Sequence, residues 1–339
     1  MIFQNIINNP KAFQGFYELQ KKCDNSNVHK KCLFNNCGQQ TLENSHIVQR
    51  AKFLDTIARR GKVVECRFNP YFKHNGKNPI EFKNDVGVTK AMSLPLFCQY
   101  HDDTVFSYIE KCKTIEQDYL SALLFCYRAL CAEVQKKLKN NYFYISLYHD
   151  ITLSNYLSSD DLNYIKTCLQ IDEISIKELG YLKYLLEGEI IHKIDEKPFE
   201  YSMKFSFKEY KSIPICISAI TSHFQNDDHL NEDVPGVLFV NILPFQDKTL
   251  AIVGYHNKFK VNETINQYDI WNSLKNEGFA KKVSHIVTKK VETWAMAPDF
   301  FENLSLDKLN TFQKEWNNNL TELQSIEGHN QSLDFNLFE

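Results

Sequence analysis

Two short ligand pairs, Cys32-x4-Cys37 and Cys98-x2-His101, stand far apart in this chain. If they hold one ion, the chain between them must leave a point and return to it. That closure constrains the first hundred residues more than any helix or strand propensity. Tetrahedral zinc takes four thiolate or imidazole ligands, usually as two closely spaced pairs from separate places. Either pair alone is a common accident in a chain with ten cysteines. Two pairs flanking a lone His46, the second opening a predicted helix, make a candidate zinc site. The same residues also read as buried apolar thiols, a common fate of cysteine, and Cys23 and His29 are alternative ligands. Cys112, Cys126, Cys131, Cys168 and Cys216 lie in apolar settings and are expected in the core.

The chain has 339 residues, 43% of them hydrophobic and 13% aromatic, enough for a real core and about two domains. No apolar run reaches the roughly 18 residues of a membrane helix. The first residues lack the basic-then-apolar pattern of a secretory leader, so reduced thiols and a cytoplasmic setting are expected, with no membrane partner. Residues 69–79 are turn-rich and predict an exposed loop. A short helix is expected over 47–60 and the start of another at 97–113, followed by helices over 114–138 and 160–192. Strands are expected at 199–207, 213–220, 237–243 and 250–255. Helices are expected again at 266–277, 283–296 and 305–325, with a frayed end. The chain divides into a cysteine-rich head (1–113), a helical connecting region (114–195) and an α+β body (196–339).

The formal net charge of -3 conceals an asymmetry. Residues 1–113 carry 17 Lys and Arg against 10 Asp and Glu, a net of +7, and the other 226 carry 22 against 32, a net of -10. A basic head suits a nucleic-acid partner, because phosphates attract Lys and Arg whatever the base sequence. Ordinary variation in surface charge is the plainer reading. The acidic remainder is poorly suited to phosphate backbones. No Walker-type or Gly-x-Gly-x-x-Gly loop is present, which disfavours nucleotide hydrolysis.

The order Cys32/Cys37, His46, Cys98/His101 resembles the HNH (His-Me finger, ββα-metal) nucleases, in the subgroup with a structural zinc. The resemblance covers roughly residues 29–112. It implies an α+β fold: a zinc-bound ββα-metal, treble-clef-like finger, then a helical middle and a mixed α+β domain. It implies that Cys32, Cys37, Cys98 and His101 hold zinc. His46 falls where the family keeps its general base, within Ser45-His46-Ile47-Val48, and Asp102 where a helix residue holds the catalytic Mg2+ or Mn2+. Ser93 lies five residues before Cys98, in the place of the usual Asn, and Ser45 replaces the usual acid. With those two departures the third catalytic role is unfilled, and His74, Asn75 and Asp103 are the nearest substitutes.

The resemblance implies metal-dependent cleavage of nucleic acid, DNA more than RNA, of the kind suspected in bacterial defence against phage. It also implies control by the body, through a protein partner or activator, and self-association into a homo-oligomer. A zinc-stabilised but inactive finger that only binds nucleic acid or protein is the competing expectation. Lesser features include Arg67 and His74, which share the Arg-x6-His spacing of HEPN ribonucleases but fall beside Pro70 and Gly76 rather than on a helix. Trp294 and the following Met296-Ala297-Pro298 are expected in core packing rather than in a pocket.

Overall fold

A computed structural model describes residues 3–68, 80–111, 117–195, 200–223, 236–322 and 335–339, without the side chains of His29 and 317–322. His74, Asn75 and Cys112 lie outside the described residues, as does the 69–79 loop. The head opens with α1 (Gln4–Asn8) and α2 (Pro10–Asn25). Asn9 caps α2 by accepting from the N–H groups of Lys11 and Ala12, and Pro10 takes the first helical position, where no N–H is needed. There follow β1 (Ser45–His46), α3 (Asp55–Ile57), β2 (Lys62–Phe68), β3 (Ile80–Gly87), β4 (Ser93–Leu94), α4 (Gln99–Val105) and α5 (Ser107–Lys111). The helix expected over 47–60 is only a π turn at Arg50–Leu54 and the single turn α3.

The middle is a long helical hairpin of α6 (Tyr119–His149) and α8 (Ser159–Ile194), joined through α7 (Ile151–Ser154). Asp118 caps α6 by accepting from Ser121 N–H. Ser158 and Asp161 form a reciprocal capping box on α8. From Leu120 to Ala132 every residue of α6 is buried. A helix apolar all round must be enclosed. Here α8, the head and a sheet enclose it. Truncating Leu130 or Leu182, both fully buried, to Ala costs about 2–5 kcal/mol.

The rest comprises β5 (Met203–Lys211), β6 (Ile215–His223), β7 (Gly236–Phe245), β8 (Lys248–His256), α9 (Asn262–Ser273), α10 (Asn276–Lys289), β9 (Thr293–Met296), α11 (Pro298–Glu302) and α12 (Leu306–Glu322). The helix expected over 283–296 ends at Lys289, and its last residues form β9 instead. Val291, Trp294, Ala295 and Met296 are all buried, and β9 lies between β2 and β6 with no exposed face to give it a helical pattern. Trp294 and Met296 are therefore core, as the sequence suggests.

Seven strands form one antiparallel sheet in the order β3-β2-β9-β6-β7-β8-β5. Two of them come from residues 1–113, so the boundaries at 113 and 195 run across a shared sheet. Alternation along β7 sends Val237, Phe239 and Leu243 into the core with α6, and Leu238, Val240 and Ile242 into the core with α9 and α10. The sheet is thus covered on both faces. Gly254 is required on β8, since a Cβ there would meet the Phe205 ring at 2.4 Å and the Lys204 carbonyl at 2.7 Å. No described helix is long and apolar enough to cross a membrane.

Candidate metal centre and the residues around it

Residues 31–40 form a narrow turn, bridged at Lys31 and Gln40, with Cys32 N–H bonded to the Gln39 carbonyl and Cys37 N–H to that of Phe34. Asn36 takes the left-handed conformation, φ 58°, which Asn tolerates better than most residues. The turn is tied to the opposite segment by Leu33 N–H to the Leu96 carbonyl and Leu42 N–H to that of Phe97. Cys98 caps α4, so His101 falls in its first turn. Chain closure thus brings both ligand pairs together.

The ligand atoms of Cys32, Cys37, Cys98 and His101 all lie within 4.8 Å of one another. Cys37 Sγ is 3.8 Å from Cys98 Sγ, and His101 Nδ1 is 3.5 Å from Cys32 Sγ and 3.3 Å from Cys98 Sγ. Zinc with ordinary bond lengths sets tetrahedral edges of about 3.8 Å between sulfurs and about 3.6 Å from sulfur to nitrogen. The cluster therefore fits a Cys3His metal site such as zinc, and the donor set is that of a closed, structural site rather than an open, catalytic one. Burial pushes the Cys32 thiol up to about 12. Burial also opposes ionisation of Cys98, but hydrogen bonding to the His101 backbone and to the other two thiols holds it below the usual thiol value. Desolvation lowers the His101 pKa, favouring the neutral imidazole that a metal binds.

The helical hairpin grips this turn, which spacing alone does not reveal. Lys183 Nζ on α8 donates to the Leu33 carbonyl at 2.7 Å and to Glu187 at 2.6 Å. Glu187 accepts from Asn35 N–H at 3.2 Å and from the Tyr127 hydroxyl at 2.5 Å. The Phe34 ring stacks on His101 at 4.3 Å. Such outer contacts fix ligand orientation. A Lys and a Glu one turn apart in an otherwise periodic helix are the only sequence trace of this arrangement. Cys23, the alternative ligand, packs in a separate core with Phe16 and Phe143. Cys126, Cys131 and Cys216 are fully buried, and Cys168 is partly buried beside that separate core.

His46 and Ser93 face each other on the β1–β4 pair, and α4 follows a few residues later. Ser45 is fully buried and exchanges hydrogen bonds with the Phe97 backbone, at 3.2 and 3.4 Å. It pins β1 to the residue before Cys98. His46 Nε2 donates to the Val88 carbonyl at 3.1 Å, leaving Nδ1 with the lone pair of the neutral ring. Burial, reinforced by the Arg128 and Arg50 charges, lowers the His46 pKa. Ser93 Oγ donates to the Lys90 carbonyl at 2.8 Å and has the Asn44 side-chain oxygen beside it at 3.3 Å, so it has settled polar partners.

Asp102 lies in the first turn of α4 with its side chain 19% exposed. Burial pushes its carboxyl up to about 6, against the pull of Arg128. The fully buried Arg128 of α6 reaches Asp102 at 3.8 Å and Glu110 at 2.5 Å, and its guanidinium lies over the Phe106 ring at 3.9 Å. Asp102 Oδ1 and Arg128 Nε and Nη1 make no hydrogen bond. Sequence spacing misses Arg128; a lone charge inside the apolar run 120–132 is its only mark. Asp103 accepts from Gln99 and is exposed on the helix. Arg67 lies on β2, paired with buried Glu65, not on a helix.

A hard divalent cation wants several oxygen ligands, carboxylates among them. Among the described residues, Cys32, Cys37, Cys98 and His101 form the one metal-capable group of three or more. Asp102 shares the Arg128 guanidinium with Glu110, and no group of three metal-ligating side chains includes it among the described residues. As arranged, these residues do not form a Mg2+ or Mn2+ site. Comparison with protein-family models, with curated proteins and with solved structures returns no match. What the fold and site define is a mixed α+β protein with a metal-capable Cys3His cluster.

Proposed function

We propose that the chain is an HNH-like endonuclease whose treble-clef-like finger is held by structural zinc and whose substrate is nucleic acid, DNA above RNA. The observation that carries this reading is the order of parts at the cluster. A ligand-bearing turn, the strand pair with His46 opposite Ser93, and a helix opening on Cys98 and His101 follow one another in the family's sequence. His46 has the chemistry of a general base: its Nε2–H is committed to a carbonyl, and Nδ1 is left to take a proton from water. The basic head supplies the attraction for phosphate.

A second reading is favoured by Arg128. Its guanidinium occupies the neighbourhood of Asp102 where a cation would sit. On this reading the head is a zinc-stapled module that binds nucleic acid or protein and cuts nothing. Incubating the zinc-loaded chain with plasmid and Mn2+, beside a chelated control, decides between them. Nicking lost in His46→Ala, with zinc still near one per chain, supports the nuclease. Salt-sensitive binding without cleavage under any divalent metal supports the module. Cleavage that survives in His46→Ala removes His46 from the mechanism.

A further inference from the structure

The outer side of α8 is apolar where a solvated helix face is charged. From Ile171 to Ile194 eight residues are exposed, and six of them are Ile171, Ile174, Tyr181, Tyr184, Ile191 and Ile194. The other two are Glu173 and Lys177. Ile174 is 63% exposed and Tyr184 59%. Lys258 lies against Tyr181, 3.5 Å from its hydroxyl, and still leaves that residue exposed. A single exposed apolar side chain needs no account, but a row of them on one long helix marks a contact surface. The buried side of α8 serves the core and, through Lys183 and Glu187, the ligand turn.

The row has an order that identifies its occupant. The steps between the six residues are 3, 7, 3, 7 and 3, the same read from either end. Each residue therefore has a counterpart at equal distance from the midpoint between Leu182 and Lys183: Ile171 with Ile194, Ile174 with Ile191, and Tyr181 with Tyr184. Two copies of one helix packed antiparallel about a two-fold axis require this symmetry, since residue i of one meets j of the other and j meets i. A partner of unrelated sequence requires none. At roughly 100° per residue, Ile174, Tyr181, Tyr184 and Ile191 share one side of the helix, with Ile171 and Ile194 flanking it on opposite edges.

The residues between them agree with the same pairing. Lys177 falls opposite Gly188. A Cβ on Gly188 would meet nothing within 4 Å beyond its own helix, so the packing of one chain does not demand a glycine there, and glycine weakens a helix interior. Against a second helix, the bare backbone makes room for the stem of Lys177 to lie across it. Glu173 falls opposite His192, and no two like charges are set against each other on this side. The helix dipoles then run in opposite directions, which favours the pair.

We infer that the chain forms a two-fold dimer through α8, packed antiparallel on α8 of a second copy, with Tyr181 against Tyr184 at the centre and Ile174 against Ile191 to either side. The contact runs roughly 35 Å along one helix pair. That places it among the small interfaces, below about 1,200 Å2 in total, whose complexes are weak. The dimer is independent of whether the head cuts nucleic acid.

Sedimentation equilibrium of the full zinc-loaded chain, from about 1 to 200 μM, tests the inference. The average mass should climb from that of one chain toward that of two, with a Kd between about 1 and 100 μM. Tyr184→Glu and Ile174→Glu, both at exposed positions, should each weaken association at least about tenfold. Both should melt as the parent does at a concentration where all are monomers, which separates loss of the contact from loss of the fold. Complementation tests the register. Ile191→Lys should also weaken the dimer, and mixing it with Ile174→Glu should associate at least about tenfold more tightly than either variant alone, because opposite charges then face each other across the axis. A parent that stays monomeric at about 200 μM overturns the inference, as it would if the face served an unrelated protein. So does a dimer indifferent to Tyr184→Glu, or a mixture that associates no better than its two components.

Discussion

Arg128 and Asp102 approach to 3.8 Å, the first wholly buried on α6 and the second in the opening turn of α4. Glu110 takes the same guanidinium at 2.5 Å, so one cation holds two carboxylates of the head against the central helix. Removing one partner of a buried ion pair strands the other in a poor solvent, at a cost of about 3–5 kcal/mol. Arg128→Ala should therefore unfold at markedly lower urea concentration than the parent. Glu110→Gln, which keeps a hydrogen-bonding oxygen and whose site is one-third exposed, should cost far less. Equal urea midpoints for Arg128→Ala and the parent would show that the guanidinium carries no structural load.

Metal removal addresses the cluster directly. The chain as purified should carry close to one zinc by elemental analysis, and Cys37→Ser or Cys98→Ser should carry well under half of that. A ligand bound only by the folded state stabilises it by about 4 kcal/mol when present a thousandfold above its Kd. Chelation should accordingly lower the melting temperature of the parent and leave that of Cys98→Ser unmoved. Identical melting with and without chelator in the parent would sink the metal assignment.

The grip of α8 on the ligand turn is separable from the ligands. Lys183→Met keeps the stem of the side chain and removes the bond to the Leu33 carbonyl. Outer contacts of this kind are worth about 10- to 100-fold in metal affinity. Competition with a fluorescent zinc chelator should show that weakening in Lys183→Met and in Glu187→Gln. Unchanged affinity in both would assign the two residues to helix packing alone.

His285 gives a pH dependence with a definite sign. Its folded pKa is lowered to about 4 from an ordinary 6.5, by burial first and then by Lys282, Lys289 and Lys290. The unfolded chain therefore takes up the proton more readily than the folded one. Stability from the neutral ring is complete above about pH 6.5 and is lost as pH falls toward 4. His285→Gln should flatten the unfolding free energy across that interval. A slope as steep in the variant as in the parent would place the titrating group elsewhere.

The ligand set was legible from the sequence because Cys-x4-Cys and Cys-x2-His are local patterns. Their convergence required only that the chain close. α6 and α8 were legible from their periodicity, and β5 to β8 from their apolar runs. β2 and β9 carry little period-2 signal. Val63 to Cys66, and Trp294 to Met296, are buried on successive residues, and a strand covered on both faces does not alternate. The partners of Asp102 and of the ligand turn escaped for another reason. Arg128, Lys183 and Glu187 act across long sequence separations, and in their own helices they look like ordinary charged positions. Ser45, which the resemblance reads as standing in for an acid, serves as a backbone pin.

The long insert between β1 and β4 contributes β2 to the main sheet, where it pairs with β9. β1, which carries His46, and its partner β4 are thus the ends of an excursion whose far side is bolted into the body. A truncation at residue 113 would strip β2 of its β9 partner and bare a row of unmatched peptide groups, inviting intermolecular pairing. The head is consequently no detachable module. β6 reaches the insert through one intervening strand, β9, so the first hundred residues and the last hundred and forty share a single girder.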